Sequence, residues 1–182
     1  MKNKLLILVL ALQTAWVLGT VVRQENLLRG GQTVLLETQP VDPRDPLRGD
    51  FVRLNYQISD VPAKLFSPPV KTDLPYGTKI FVALTPAGTN QFYEVTRAGT
   101  DSLVPAANEV LLRGKSEWNW RNRTNSIHVE YGIEKYFVAE GTGNPHGKLT
   151  AQVVVSKSGR ASLKEVFVDG KPYAEAMGEN KP

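Results

Sequence analysis

The side chains that could do chemistry in this 182-residue chain are few: two histidines, a scatter of carboxylates and the arginines beside them. His128 and His146 stand eighteen positions apart, without the i, i+4 spacing that puts two ligands on one helix face. Carboxylates would have to complete a zinc site around either of them, and no metal is expected. Asp42, Asp45 and Asp50 crowd together. Pro43, Pro46, Arg44 and Arg48 lie among them, which points to local ion pairs rather than a hard-cation site. Asp50, Glu134 and Glu140, with Tyr136 close to the last two, are the set that could host paired-carboxylate acid–base work, provided their surroundings separate their pKa values. Nucleophile signatures are missing: there is no G-x-S-x-G, and no lysine at S-x-x-K spacing beside a sheltered serine. Gly141-Thr-Gly143 is not followed by the helix that a phosphate cradle requires. With no cysteine, thiolate zinc, cysteine catalysis and disulfides are excluded. Trp118 and Trp120 beside Arg121 and Arg123 make a short amphipathic patch, open either to binding or to burial of both indoles in the core. No catalytic residue and no cofactor is assigned.

The elements that must carry these residues fall into two kinds. Leu5 to Val22 is eighteen residues without a charge, and as a helix it spans about 27 Å, close to a bilayer's hydrocarbon core. Lys2 and Lys4 precede it, while Arg23 is opposed by Glu25 beyond it, so the positive-inside rule places the N-terminus in the cytoplasm and the rest outside. Two rivals to an uncleaved anchor are a cleaved secretory signal, with Gly19 as the small residue, and a buried core helix. Everything after residue 31 reads as strands and turns. Asp50 to Ser59 alternates cleanly, with Val52, Leu54, Tyr56 and Ile58 on one face, as in a sheet with one buried side. Further strands are expected at 32–38, 79–85, 91–97, 110–115, 126–131, 136–138, 149–156 and 161–168, with hairpin turns at PAGTN and KSGR. Residues 60–76 carry four prolines and read as a loop. The expected organisation is an anchor at 1–22, a juxtamembrane linker at 23–31, a β-rich domain at 32–174 and a loose tail at 175–182. The fold class is all-β or β-rich: a curved antiparallel sheet, sandwich or open barrel after a single N-terminal transmembrane helix.

Arg48-Gly-Asp-Phe-Val-Arg-Leu-Asn-Tyr56, the upstream V-D-P-R-D-P at 41–46, Tyr131-Gly-Ile-Glu-Lys-Tyr-Phe-Val-Ala-Glu-Gly141 and Val168-Asp-Gly-Lys-Pro-Tyr173 together carry a resemblance. The chain resembles a bacterial family named after the motif G-D-Y-x-x-L-x-Y. It departs at Phe51, where the family name has tyrosine, so any role needing that phenol hydroxyl is not expected here. The resemblance covers almost the whole chain. It implies a membrane-anchored protein, often associated with multi-span membrane proteins, and it implies no reaction. A fainter likeness to membrane-anchored signal-peptidase-type enzymes lies in Pro46-Leu-Arg-Gly-Asp-Phe-Val, but residues 40–46 hold no serine for their chemistry.

The net charge of +4, from 22 basic and 18 acidic residues, is too balanced for a nucleic-acid binder. The expected function is an extracytoplasmic interaction module on the cytoplasmic (inner) membrane, an accessory subunit that binds a membrane-protein partner or an envelope ligand. Its candidate binding residues are Arg48, Asp50, Arg53, Tyr56, Glu134, Tyr136 and Glu140. The alternatives are an enzyme with a carboxylate-centred site and a catalytically inactive signal-peptidase-like scaffold.

Overall fold

A computed structural model describes residues 2–39, 51–70, 74–88, 91–117, 125–138, 145 and 147–178. It begins with α1 (Lys2–Gly30), which runs unbroken through the apolar stretch and the juxtamembrane residues. Lys4–Val22 is long and apolar enough to cross a membrane, and none of it is buried against the protein. The buried-core-helix reading of this segment is therefore overturned. A helix that is apolar all round, with Leu5 66% and Trp16 74% exposed, needs lipid or another chain to cover it.

The body that follows is β-rich. Its strands are β1 (Gln32–Gln39), β2 (Phe51–Arg53), β3 (Asn55–Tyr56), β4 (Asp60–Pro62), β5 (Lys79–Pro86) and β6 (Tyr93–Gly99), then β7 (Val110–Ser116), β8 (Ser126–Glu130), β9 (Lys135–Phe137), β10 (Leu149–Val155), β11 (Ala161–Val168) and β12 (Lys171–Pro172). They form one five-stranded sheet in the order β12-β11-β10-β1-β3, a second in the order β4-β8-β7-β5-β6, and a two-stranded ribbon β2-β9. All strand pairs are antiparallel. As the PAGTN and KSGR segments predict, β5 pairs with β6 and β10 with β11, although Thr89 and Asn90 of the first lie outside the described residues. The register of each pair slips once, between Ala83 and Leu84 and between Gln152 and Val153, and such bulges bend a sheet. The second sheet curls until its outer strands approach each other. Phe66, just beyond β4, bridges to Ala98 on β6, and Leu35 of β1 bridges to Phe92 just before β6.

Both sheets feed one core. Val34 and Leu36 of β1, Val153 and Val166 of the first sheet, and Ile80, Leu84, Leu112 and Val129 of the second are buried in a single cluster. Each such side chain removed from water contributes about 1.5–3 kcal/mol.

Three expectations change on contact with the structure. The strand read at 50–59 keeps its alternating burial, but it is not one strand. β2 pairs with β9, β3 pairs with β1, and Gln57–Ser59 closes into a 3₁₀ turn. Alternation records which side faces the core and is blind to a change of partner. The proline-rich loop at 60–76 contributes β4, which pairs with β8, and it buries Phe66 in the core. The tail begins as a helix: α2 (Tyr173–Gly178) seats Tyr173 in the core, with Ala176 and Met177 packed beside it at helical spacing.

Candidate functional site

Segments 51–58 and 131–137 carry most of the candidate residues, and the fold stitches them together. The ribbon sets Phe51 opposite Phe137, Val52 opposite Tyr136, and Arg53 opposite Lys135. One residue on, the Leu54 amide donates to the Glu134 carbonyl at 2.7 Å. Two tyrosines then cross in opposite directions. Tyr56 Oη donates to the Ile133 carbonyl at 2.7 Å, and Tyr131 Oη donates to the Ile58 carbonyl at 2.7 Å. Both rings are buried, and burial, with the nearby Glu134 carboxylate adding to it, pushes both phenol pKa values well above the usual tyrosine range. These hydroxyls are held as neutral donors.

Glu134 is committed to the same junction. Its carboxylate accepts from the Tyr131 amide at 2.5 Å, and the amides of Gly132 and Glu134 also favour its charged form. Gly132, at φ +82°, supplies the left-handed backbone that this turn needs. Burial raises the Glu134 pKa and wins over the amides, which lower it. Space for the Tyr131 ring comes from Gly114 on β7. A Cβ there would lie 2.4 Å from Val129 Cγ1 and 3.0 Å from Tyr131 Cδ1.

Of the candidate residues, then, the structure brings Arg53, Tyr56, Glu134 and Tyr136 into one region. Tyr56 and Glu134 are turned inward and spent on the fold. Tyr136 is half-buried and packs edge-on against Tyr173, with ring centroids 5.3 Å apart. Arg53 faces out. Arg48, Asp50 and Glu140 lie outside the described residues, as do Trp118, Trp120, Arg121, Arg123 and His146.

Beside Arg53, the outward face of the ribbon is made by residues that the sequence reading did not name as candidates. Phe137 is 73% exposed, and its ring meets that of Phe51 at 6.3 Å. Lys135 Nζ stands 5.6 Å from the Phe51 ring centroid, a cation–π contact that needs no phenol hydroxyl. Arg53 sits across from Lys135 with its side chain 55% exposed. The signal was available: period two in Lys135-Tyr-Phe137 sends Lys135 and Phe137 to the side opposite Tyr136.

A polar chain runs away from this face. Arg53 reaches Glu117 at 3.9 Å, Glu117 reaches His128 Nε2 at 3.4 Å, and His128 Nδ1 meets Asp60 Oδ1 at 2.8 Å. The two carboxylates engage opposite edges of the imidazole ring, so they cannot converge with it on one ion. Among the described residues, no group of three metal-ligating side chains is gathered anywhere.

A family model described as GDYXXLXY protein matches residues 13–166 of the chain. No curated protein and no solved structure matches it.

Proposed function

The chain belongs to the GDYXXLXY family, and on that premise we propose that it is a membrane-tethered, extracytoplasmic interaction module. In this reading α1 holds the β body at the outer face of the cytoplasmic membrane, and the β2–β9 ribbon receives the partner. The observation that carries the reading is the contrast between the two faces of the ribbon. Inward, Tyr56, Tyr131 and Glu134 are consumed by backbone bonds that weld the two motif segments. Outward, a mostly bare phenylalanine and two cations have no structural duty of comparable weight. Aromatic residues, phenylalanine among them, and arginine are enriched at protein interfaces.

The partner is a protein or envelope ligand offering apolar surface ringed by carboxylate or phosphate, which Arg53 can grip in bidentate fashion. The ribbon adjoins the far end of β1, at Thr38 and Gln39, seven residue steps or about 23 Å along the strand from where the helix enters. That position favours the extracytoplasmic part of a multi-span membrane protein over its membrane-embedded part.

Purifying the full chain from its host membranes in mild detergent tests this. A multi-span protein should co-purify with the native chain. Phe137→Ser combined with Arg53→Glu should remove it while leaving the thermal midpoint within a few degrees. A native chain that comes down alone, with the double variant fully active in the host, overturns the reading.

A further inference from the structure

The helix does not merely precede the β body. It touches β10 and β11, and Gln24 Nε2 donates to Ser162 Oγ at 2.5 Å. The membrane-length segment ends at Val22, so Gln24 lies two residues, or about 3 Å of helix rise, beyond it. Ser162 is thereby held at the depth where lipid headgroups begin. One turn earlier in the chain is the β10–β11 hairpin, Ser156 to Arg160. Its turn is set by the Gly159 amide bonding to the Ser156 carbonyl at 2.9 Å and by Gly159 at φ +78°. The Arg113 amide of β7 donates to the Gly159 carbonyl at 2.8 Å, which pins the tip to the second sheet. Lys157 and Arg160 are exposed on this rigid tip, Lys164 is exposed further along β11, and none of the three makes an ion pair among the described residues. Glu25 follows Gln24 on α1, and Glu165 follows Lys164 on β11.

We propose that the β10–β11 hairpin is an anionic-lipid docking surface, in which Lys157 and Arg160 grip phospholipid headgroup phosphates beside the anchor. This rests on the reading of α1 as a membrane anchor and adds to it a second, electrostatic contact. The contact fixes the angle of the β body against the bilayer and so the height at which the ribbon is presented. The occupant follows from charge and place: two unpaired cations on a rigid turn, held a few ångströms beyond the end of an apolar span, meet lipid phosphate before anything else. A tethered site needs little intrinsic affinity, because the anchor keeps the headgroups at high effective concentration.

The chain has no cysteine, so Ser158→Cys gives a unique attachment point on the tip. The full-length protein carrying an environment-sensitive fluorophore there is reconstituted in phosphatidylcholine bilayers with and without phosphatidylglycerol. Its quenching by a water-soluble quencher is then measured. Phosphatidylglycerol should shield the label, and raised salt should restore quenching. The neutral pair Lys157→Gln with Arg160→Gln, which removes two cations and adds no repulsion, should shift the docked-to-undocked ratio by about 30-fold toward exposure. Lys157→Glu with Arg160→Glu, which adds repulsion, should shift it further. Alkaline extraction of the same samples separates the two ideas. Protein that stays embedded, with a label equally quenched in both lipids and in all variants, overturns the docking surface and leaves the anchor standing. Protein that washes off overturns both.

Discussion

The hydroxyl of Tyr56 and that of Tyr131 each satisfy a buried carbonyl on the opposite motif segment. Tyr56→Phe strands the Ile133 carbonyl, and the expected loss is about 1–2 kcal/mol. For a body of this size that is a fall in thermal midpoint of roughly 2–8 °C. Tyr131→Phe should cost a similar amount. The double variant should cost less than the sum, because either loss loosens the same junction; a double-mutant cycle from urea midpoints measures this coupling. Two glutamates should show opposite pH signatures. The folded pKa of Glu134 is raised, chiefly by burial. Its contribution to stability is therefore fully present below the ordinary carboxylate pKa and fades as pH climbs through its folded value. Relative to Glu134→Gln, the native chain should lose stability as pH climbs above the ordinary carboxylate range. Glu109 is the reverse: the Arg97 guanidinium, bonded at 2.5 and 3.0 Å, together with the Ala106 amide, lowers its pKa to about 2. Its contribution is present above the usual carboxylate range and is lost as pH falls toward 2. Urea midpoints across pH 2–8 for the native chain, Glu134→Gln and Glu109→Gln should show each slope vanish in its own variant.

Among the elements, β7 and β8 make the closest approach that bears on the site. Gly114 is buried in the interior of β7, and an added methyl would press on Val129 Cγ1, the Glu130 carbonyl at 2.8 Å and the Tyr131 ring. A glycine in a strand interior often marks such a close approach of backbone. Gly114→Ala should cost about 1–3 kcal/mol, the usual toll of overpacking. Because it moves Tyr131, its effect should be non-additive with Tyr131→Phe in thermal melts. The ribbon gains its independence in the same way. β2 and β9 belong to neither five-stranded sheet, so their outward residues are not recruited into a continuous layer. Phe137 stays at the surface while Val52, on the other side of the ribbon, is 3% exposed.

At the scale of the whole molecule, the span Lys4–Val22 contributes nothing to the core, since none of it is buried. Removing residues 2–22 should leave the thermal midpoint of the β body within about 2 °C while abolishing the need for detergent. A large fall would show that the apolar helix has a folding role which its exposure gives no reason to expect. α1 and the hairpin lie at one end of β1 and the ribbon beyond the other, so the proposed membrane contact and the proposed binding face are set apart by the length of a strand.

The apolar span, the β-rich class, the two hairpins and the buried face of 51–59 were all legible in the sequence. Each rests on short-range patterning: an unbroken apolar run, period-two alternation and turn chemistry within a few residues. The candidate set was only partly legible, because the motif marks positions that must be kept without saying why. Tertiary structure decided that Tyr56 and Glu134 face inward to hold the fold while Phe137 and Lys135, unremarked in the sequence, face out. It also decided that 51–59 serves two partner strands and that His128 on β8 is held between Asp60 of β4 and Glu117 just past β7, from the two flanking strands. These outcomes depend on which strands meet and in what register. That is settled by the packing of one shared core across dozens of residues, and no local pattern carries it.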